Sequence, residues 1–191
     1  MKTIDTHFLA LACLLAKGHL LIEDVPGTGK TLLAKNLADK LNIKTTRLQC
    51  TNDLLPSDIL GYNFYDQAKK KMVFKKGPIF SQVLLADELN RAPSKTQSAL
   101  LEAMEESQVS IEGETYPLEK PFFVIATQNP REHVGVFDLP ESQIDRFYLS
   151  LKMNELSRKD YKTILMQNTH ASPFDTIKNI PQGRANIIKI Q

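Results

Sequence analysis

Tryptophan is absent from this sequence, cysteine occurs only twice, and no apolar run approaches the length of a membrane span. Each lack excludes something. Cys13 and Cys50 form neither a CxxC pair nor a metal-ligand spacing, so buried structural thiols are expected. The four histidines are scattered, which argues against a zinc site. Excess charge of one sign is lacking too: 24 Lys and Arg against 22 Asp and Glu leave +2, too little to argue for nucleic acid. Repeats and low-complexity tracts are missing. What remains, with 42% hydrophobic and 24% charged residues among 191, suits one globular α/β domain with some chain to spare.

The opening "MKTIDTHFLALACLLAKGH" has an early lysine and an apolar run at residues 8–16, features of a weak secretory leader. Asp5 spoils a positive leader, and Lys17 ends the run well short of a span. The run leads directly into "GHLLIED", which reads as the first core strand. A buried helix ahead of that strand is therefore expected, in a cytoplasmic protein with reduced thiols.

A second strand is expected at "TTRLQC" (45–50), and further buried strands at "QVLLAD" (82–87), "FFVIAT" (122–127) and "FYLSLKM" (147–153). Leu33, Ala34, Leu37, Ala38 and Leu41 recur at helical spacing and predict one apolar stripe. Ser94 followed by Gln97 predicts a capping box opening a second helix, with Leu100, Ala103 and Met104 inward. "QVSIEGETYPL" predicts a hairpin turning at Gly113. Ser157 predicts the cap of a helix to about residue 168, and the tail from residue 171 has no assigned structure. Strands alternating with helices predict a parallel sheet covered on both faces.

Gly27-Thr28-Gly29-Lys30-Thr31 follows a strand and opens a helix, the context of a phosphate-binding loop. Glycines let successive N–H groups point at phosphate oxygens, and the helix N-terminus adds partial positive charge. Lys30 is expected at the β- and γ-phosphates and the Thr31 hydroxyl on Mg2+, with Pro26 and Leu32 flanking the cradle. Asp24 stands where the strict motif has its first glycine. That position makes the turn off the strand, and Asp tolerates a left-handed backbone, so binding of ATP or ADP is expected to survive.

"VLLADE" ends on Asp87 and Glu88 at a strand's C-terminal end, where ligands sit in open parallel sheets. Asp87 is expected to hold Mg2+ directly or through water, and Glu88 to act as general base. A solvated acidic turn is the plainer alternative, which the phosphate loop upstream disfavours. Asn129, after the strand "FFVIAT", is placed to orient the attacking water or touch the γ-phosphate, or is simply a turn former.

"EDVPGTGKT", "LLADELNRAPSKTQSALLEAMEE", "VIATQNP" and "LPESQIDRF" resemble the MoxR-type AAA+ ATPases in order and spacing, over residues 7–151, roughly three quarters of the chain. The resemblance implies a P-loop NTPase fold, a three-layer αβα sandwich with a parallel central sheet and β-hairpin insertions. It implies that Lys30 and Thr31 are the Walker A pair, Asp87 and Glu88 the Walker B pair, and Asn129 sensor 1. Arg146 matches the arginine finger that completes a neighbouring subunit's site. The family's habits further imply a homo-oligomeric ring, commonly a hexamer, that hydrolyses ATP to remodel protein clients, with von Willebrand A-like proteins as partners. Residues 61–80 resemble its helix-2 insert, and residues 108–118 its pre-sensor-1 hairpin. The lysines at 69–71 and 75–76 are read as a solvated hairpin, with an acidic partner surface as the sharper option.

Residues 1–152 are thus expected to be the nucleotide-binding core, and 153–191 a helix and tail leading toward an α-helical lid that the chain does not include. A shortened or truncated chain of this kind is expected to bind nucleotide more weakly and turn over slowly. Two alternatives stand beside an ATPase: a nucleotide-binding module with little turnover, and a DNA-dependent motor, which the weak net charge disfavours. No Asn-Lys-x-Asp motif supports a GTPase, and neither a membrane nor nucleic acid is an expected partner.

Overall fold

In a computed structural model, residues 4–23, 30–129, 135–153 and 184–190 are described. A two-residue strand β1 (Ile4–Asp5) leads into α1 (Thr6–Leu15), β2 (Leu20–Glu23) and α2 (Lys30–Leu41). Then come β3 (Thr45–Gln49), α3 (Pro56–Leu60) and a hairpin of β4 (Gly61–Asp66) and β5 (Lys71–Lys76). β6 (Val83–Asp87) passes through a 3-10 turn (Leu89–Arg91) to α4 (Ser94–Glu106). A second hairpin, β7 (Gln108–Ile111) and β8 (Glu114–Pro117), precedes β9 (Phe123–Gln128), α5 (Glu141–Ile144), β10 (Leu149–Met153) and β11 (Arg184–Ile190).

The main sheet runs β1-β11-β10-β2-β9-β6-β3. From β10 to β3 every pairing is parallel, and β11 adds antiparallel pairings to β10 and β1. Strands covered on both faces must be apolar throughout, and all five residues of β6 are buried. Period-two alternation sends Leu21, Leu84, Ala86, Val124 and Ala126 to one face, packed with Leu100, Leu101 and Met104 of α4. Leu20, Ile22, Val83, Leu85 and Ile125 go to the other, under α1 and α2. This is the three-layer αβα arrangement expected from the sequence.

Leu33, Ala34, Leu37 and Ala38 are buried as the stripe predicts, but Leu41 is 38% exposed, at the last position of α2. The capping box at Ser94 does not form. Pro93 is the N-cap without a side-chain cap, and the Gln97 amide donates instead to Leu89 O, Ala92 O and Phe137 O. The nearby turn and loop offer carbonyls that a buried amide cannot leave unanswered. The second hairpin turns through Glu112 and Gly113, at φ of 51° and 85°, as the Glu-Gly-Glu sequence predicts. Within residues 61–80, β4 and β5 form a hairpin over 61–76, docked on the other by Phe74 stacking on Tyr116 at 4.2 Å and Asn63 donating to Glu112 at 2.8 Å. The helix expected from Ser157 lies outside the described residues.

Candidate functional site

Parallel strands put their C-terminal ends on one rim. Glu23 of β2 stands opposite Gln128 of β9, and Gln49 of β3 opposite Asp87 of β6. Asp24, Pro26, Gly27, Thr28 and Gly29 lie outside the described residues. They join Glu23, at that rim, to Lys30, the first residue of α2. Lys30, Thr31 and Leu32 make the opening turn of α2, and their side chains lie outside the described residues as well.

Asp87 is buried at 8% exposure, and its two oxygens have separate partners. Oδ1 accepts from the Thr127 hydroxyl at 2.7 Å, and Oδ2 from Arg47 Nη2 at 2.7 Å. Thr127, fully buried in β9, also accepts the Glu88 amide at 2.9 Å. One hydroxyl thereby sets the position of both acidic residues. Glu88 sits at φ 57°, ψ 49°, a left-handed backbone that costs a non-glycine residue about 1 kcal/mol. Its carboxylate accepts from Arg91 at 3.0 Å and from the Gln49 amide at 2.9 Å. Such strain, paid for by surrounding hydrogen bonds, is typical of functional positions.

Asn129 follows β9 at the same rim and is buried at 8%. Its carbonyl accepts from Asn90, whose own Oδ1 is buried without a partner. Asn90 thus ties the turn after Glu88 to the residue after β9. Beneath the rim lies Cys50, its thiol pushed up to about 12 by burial, then by the charges of Asp87 and Glu88. Burial likewise holds Cys13 at about 12, so both cysteines are the buried thiols expected.

Arg146 is elsewhere. It pairs with Glu105 near the C-terminal end of α4, a helix of 13 residues and roughly 18 Å that runs away from the rim. Met104 of the same turn meets His19 at the opposite end of β2. Within one chain, Arg146 is therefore not brought together with Asp87 and Glu88.

Mg2+ prefers hard oxygen ligands and keeps much of its shell as water and substrate phosphate. A buried carboxylate fixed by a hydroxyl at the strand end fits that need. Among the described residues no three His, Cys, Asp or Glu side chains gather, as a caged metal would require.

Asp87, Glu88 and Asn129, expected from the sequence at strand ends, do lie at one rim, and Thr127, Arg47, Gln49, Asn90 and Arg91, which the sequence did not single out, hold them there. Thr127 carried a detectable signal, a hydroxyl one residue before the strand's end, two positions from Asn129.

A model of the ATPase family associated with various cellular activities (AAA) matches residues 19–149. Chaperone MoxR1 of Mycobacterium tuberculosis is 47% identical over 155 residues, 81% of this chain and 41% of its own length. YeaC of Bacillus subtilis, itself uncharacterised, is 46% identical over 176 residues, 92% of this chain and 55% of its own. A crystal structure of a candidate ATPase from Cytophaga hutchinsonii superposes with a TM-score of 0.75 at 42% identity, covering 93% of this chain and 52% of that one. The chain spans about half the length of these relatives.

Proposed function

The chain belongs to the ATPase family associated with various cellular activities (AAA), its likeness running to MoxR proteins, and on that premise we propose that it binds and hydrolyses Mg·ATP as a subunit of a protein-remodelling ring. The observation that carries this reading is the Asp87–Glu88 pair, fixed by Thr127 at the rim where the Gly27–Thr31 segment joins β2 to α2.

In this mechanism the amides of Gly27, Thr28 and Gly29 and the Lys30 ammonium hold the phosphates, with Pro26 and Leu32 bounding the loop. Thr31 and Asp87 hold Mg2+, which supplies Lewis-acid stabilisation of the phosphoryl oxygens when bound. Glu88 takes the proton of the attacking water, and Asn129 orients that water or meets the γ-phosphate. The separation of Arg146 from its own chain's acidic pair supports its role as a finger in trans. A guanidinium there stabilises charge on the transferring phosphoryl group of a neighbouring copy.

The ring, commonly a hexamer in relatives with a lid, works on protein clients and takes von Willebrand A-like proteins as partners. A cytoplasmic location is part of this proposal. Among the described residues no helix is long and apolar enough to cross a membrane. The 41% coverage of MoxR1, a named chaperone, makes remodelling a proposal about the longer architecture.

Phosphate release tests the reading. Specific activity should rise with protein concentration, vanish in Glu88→Gln and lose its concentration dependence in Arg146→Ala, with nucleotide binding kept in both. Equal turnover by wild type and Glu88→Gln would remove Glu88 from the mechanism.

A further inference from the structure

Arg47 and Gln49 lie two residues apart on β3, the edge strand, so their side chains leave the same face. One guanidinium nitrogen, Arg47 Nη2, donates both to Asp87 Oδ2 at 2.7 Å and to Gln49 Oε1 at 2.8 Å. The Gln49 amide in turn holds Glu88 Oε2 at 2.9 Å. Asp87 Oδ1 is already taken by Thr127. Arg47 thus stands at Asp87 Oδ2, while Thr127 holds Oδ1, on the residue expected to meet a divalent cation.

We propose that Arg47 is a positioning residue that stands in for the divalent cation at Asp87 when nucleotide is absent, and that the arriving Mg·nucleotide displaces it. The inference rests on the nucleotide-binding reading above and adds the regulation of that site. Two cations cannot share one carboxylate oxygen without strong repulsion at this range. Arg47 is also easily displaced: its side chain is 52% exposed, and a half-exposed ion pair contributes little. Displacement removes the guanidinium that Gln49 accepts from, which loosens the hold of Gln49 on the Glu88 carboxylate. Metal loading and release of the base are coupled through this single side chain. Until then Asp87 keeps a compensating positive charge, and Glu88 keeps two donors, Gln49 and Arg91.

The test is uptake of Mn2+ by the full chain in the presence of a non-hydrolysable ATP analogue, read as free Mn2+ by electron paramagnetic resonance. Arg47→Gln and Arg47→Met should each bind Mn2+ roughly three- to tenfold more tightly than wild type, and Arg47→Lys within about twofold of it. Arg47 is half-exposed on an edge strand, so its substitution leaves the core intact, and a urea midpoint verifies it. Unchanged or weaker Mn2+ binding in both neutral variants overturns the proposal while leaving nucleotide binding intact. Failure of wild type to take up Mn2+ with the analogue overturns the nucleotide-binding reading as well.

Discussion

The Thr127 hydroxyl donates to Asp87 Oδ1 at 2.7 Å and ties β9 to β6 where the two strands end. Because its oxygen also accepts the Glu88 amide, it orients the carboxylate expected at the metal and the backbone of the expected base together.

Thr127→Val keeps the shape and removes both hydrogen bonds inside a fully buried site. Loss of the Thr127 hydroxyl as donor to Asp87 and as acceptor of the Glu88 amide should cost about 2 kcal/mol, read as a lower urea midpoint. ATP turnover should fall by about tenfold or more, since the two carboxylates proposed to serve catalysis lose their alignment. Thr127→Ser, which restores the hydroxyl, should recover most of both losses; a Ser variant as impaired as Val would refute the hydrogen-bond account.

His19 gives a pH prediction. Nδ1 accepts the Val124 amide at 3.0 Å, so Nε2 carries the proton and donates to Met104 O at 3.2 Å. Desolvation by burial lowers its pKa from 6.5 to about 4, against the smaller upward pull of the hydrogen bond to Met104 O. The unfolded chain binds that proton more readily, so the stability contribution is complete above pH 6.5 and lost as pH falls toward 4. Urea midpoints measured from neutral pH down to pH 4 should show roughly 3 kcal/mol of acid destabilisation that His19→Gln lacks. Parallel pH profiles for the two proteins would contradict it.

The thiols should be silent. With both pKa values near 12, about one molecule in ten thousand is a thiolate at pH 8. Ellman's reagent should label neither Cys13 nor Cys50 in the native protein and both after denaturation. Rapid native labelling of either would mean that its burial is not maintained.

Gly77 marks where β5 returns past α3. A Cβ there would lie 2.1 Å from Ile59 O and 2.6 Å from Gly61 N, both backbone atoms that cannot step aside. Gly77→Ala should therefore destabilise by about 2 kcal/mol or more and displace the first hairpin. Gly113→Asn, at an open turn with φ of 85°, should cost much less, and a urea series on the two variants checks the contrast.

What the sequence made legible follows from range. The core strands were readable because burial on both faces demands unbroken apolar runs such as "VLLAD". The acidic pair and Asn129 were readable because strand ends meet at one rim in a parallel sheet. Gln97 misled because the capping-box pattern is local, whereas its amide answers carbonyls of Leu89 and Phe137 that only tertiary structure brings near. The strand Arg184–Ile190, in a tail left unassigned from sequence, depends on antiparallel pairing with β10 and carries little local signal. Arg47 and Gln49 read only as members of the strand "TTRLQC"; their bonds to Asp87 and Glu88 span about forty residues. His19 read as a strand's first residue, and its role comes from α4 and β9.

Isothermal titration of the chain with Mg·ATP and Mg·ADP tests the central claim most directly. The account predicts saturable heat at about one nucleotide per chain, abolished in Lys30→Ala while that variant keeps its fold. Absence of heat from folded wild type, or undiminished binding by Lys30→Ala, would contradict it.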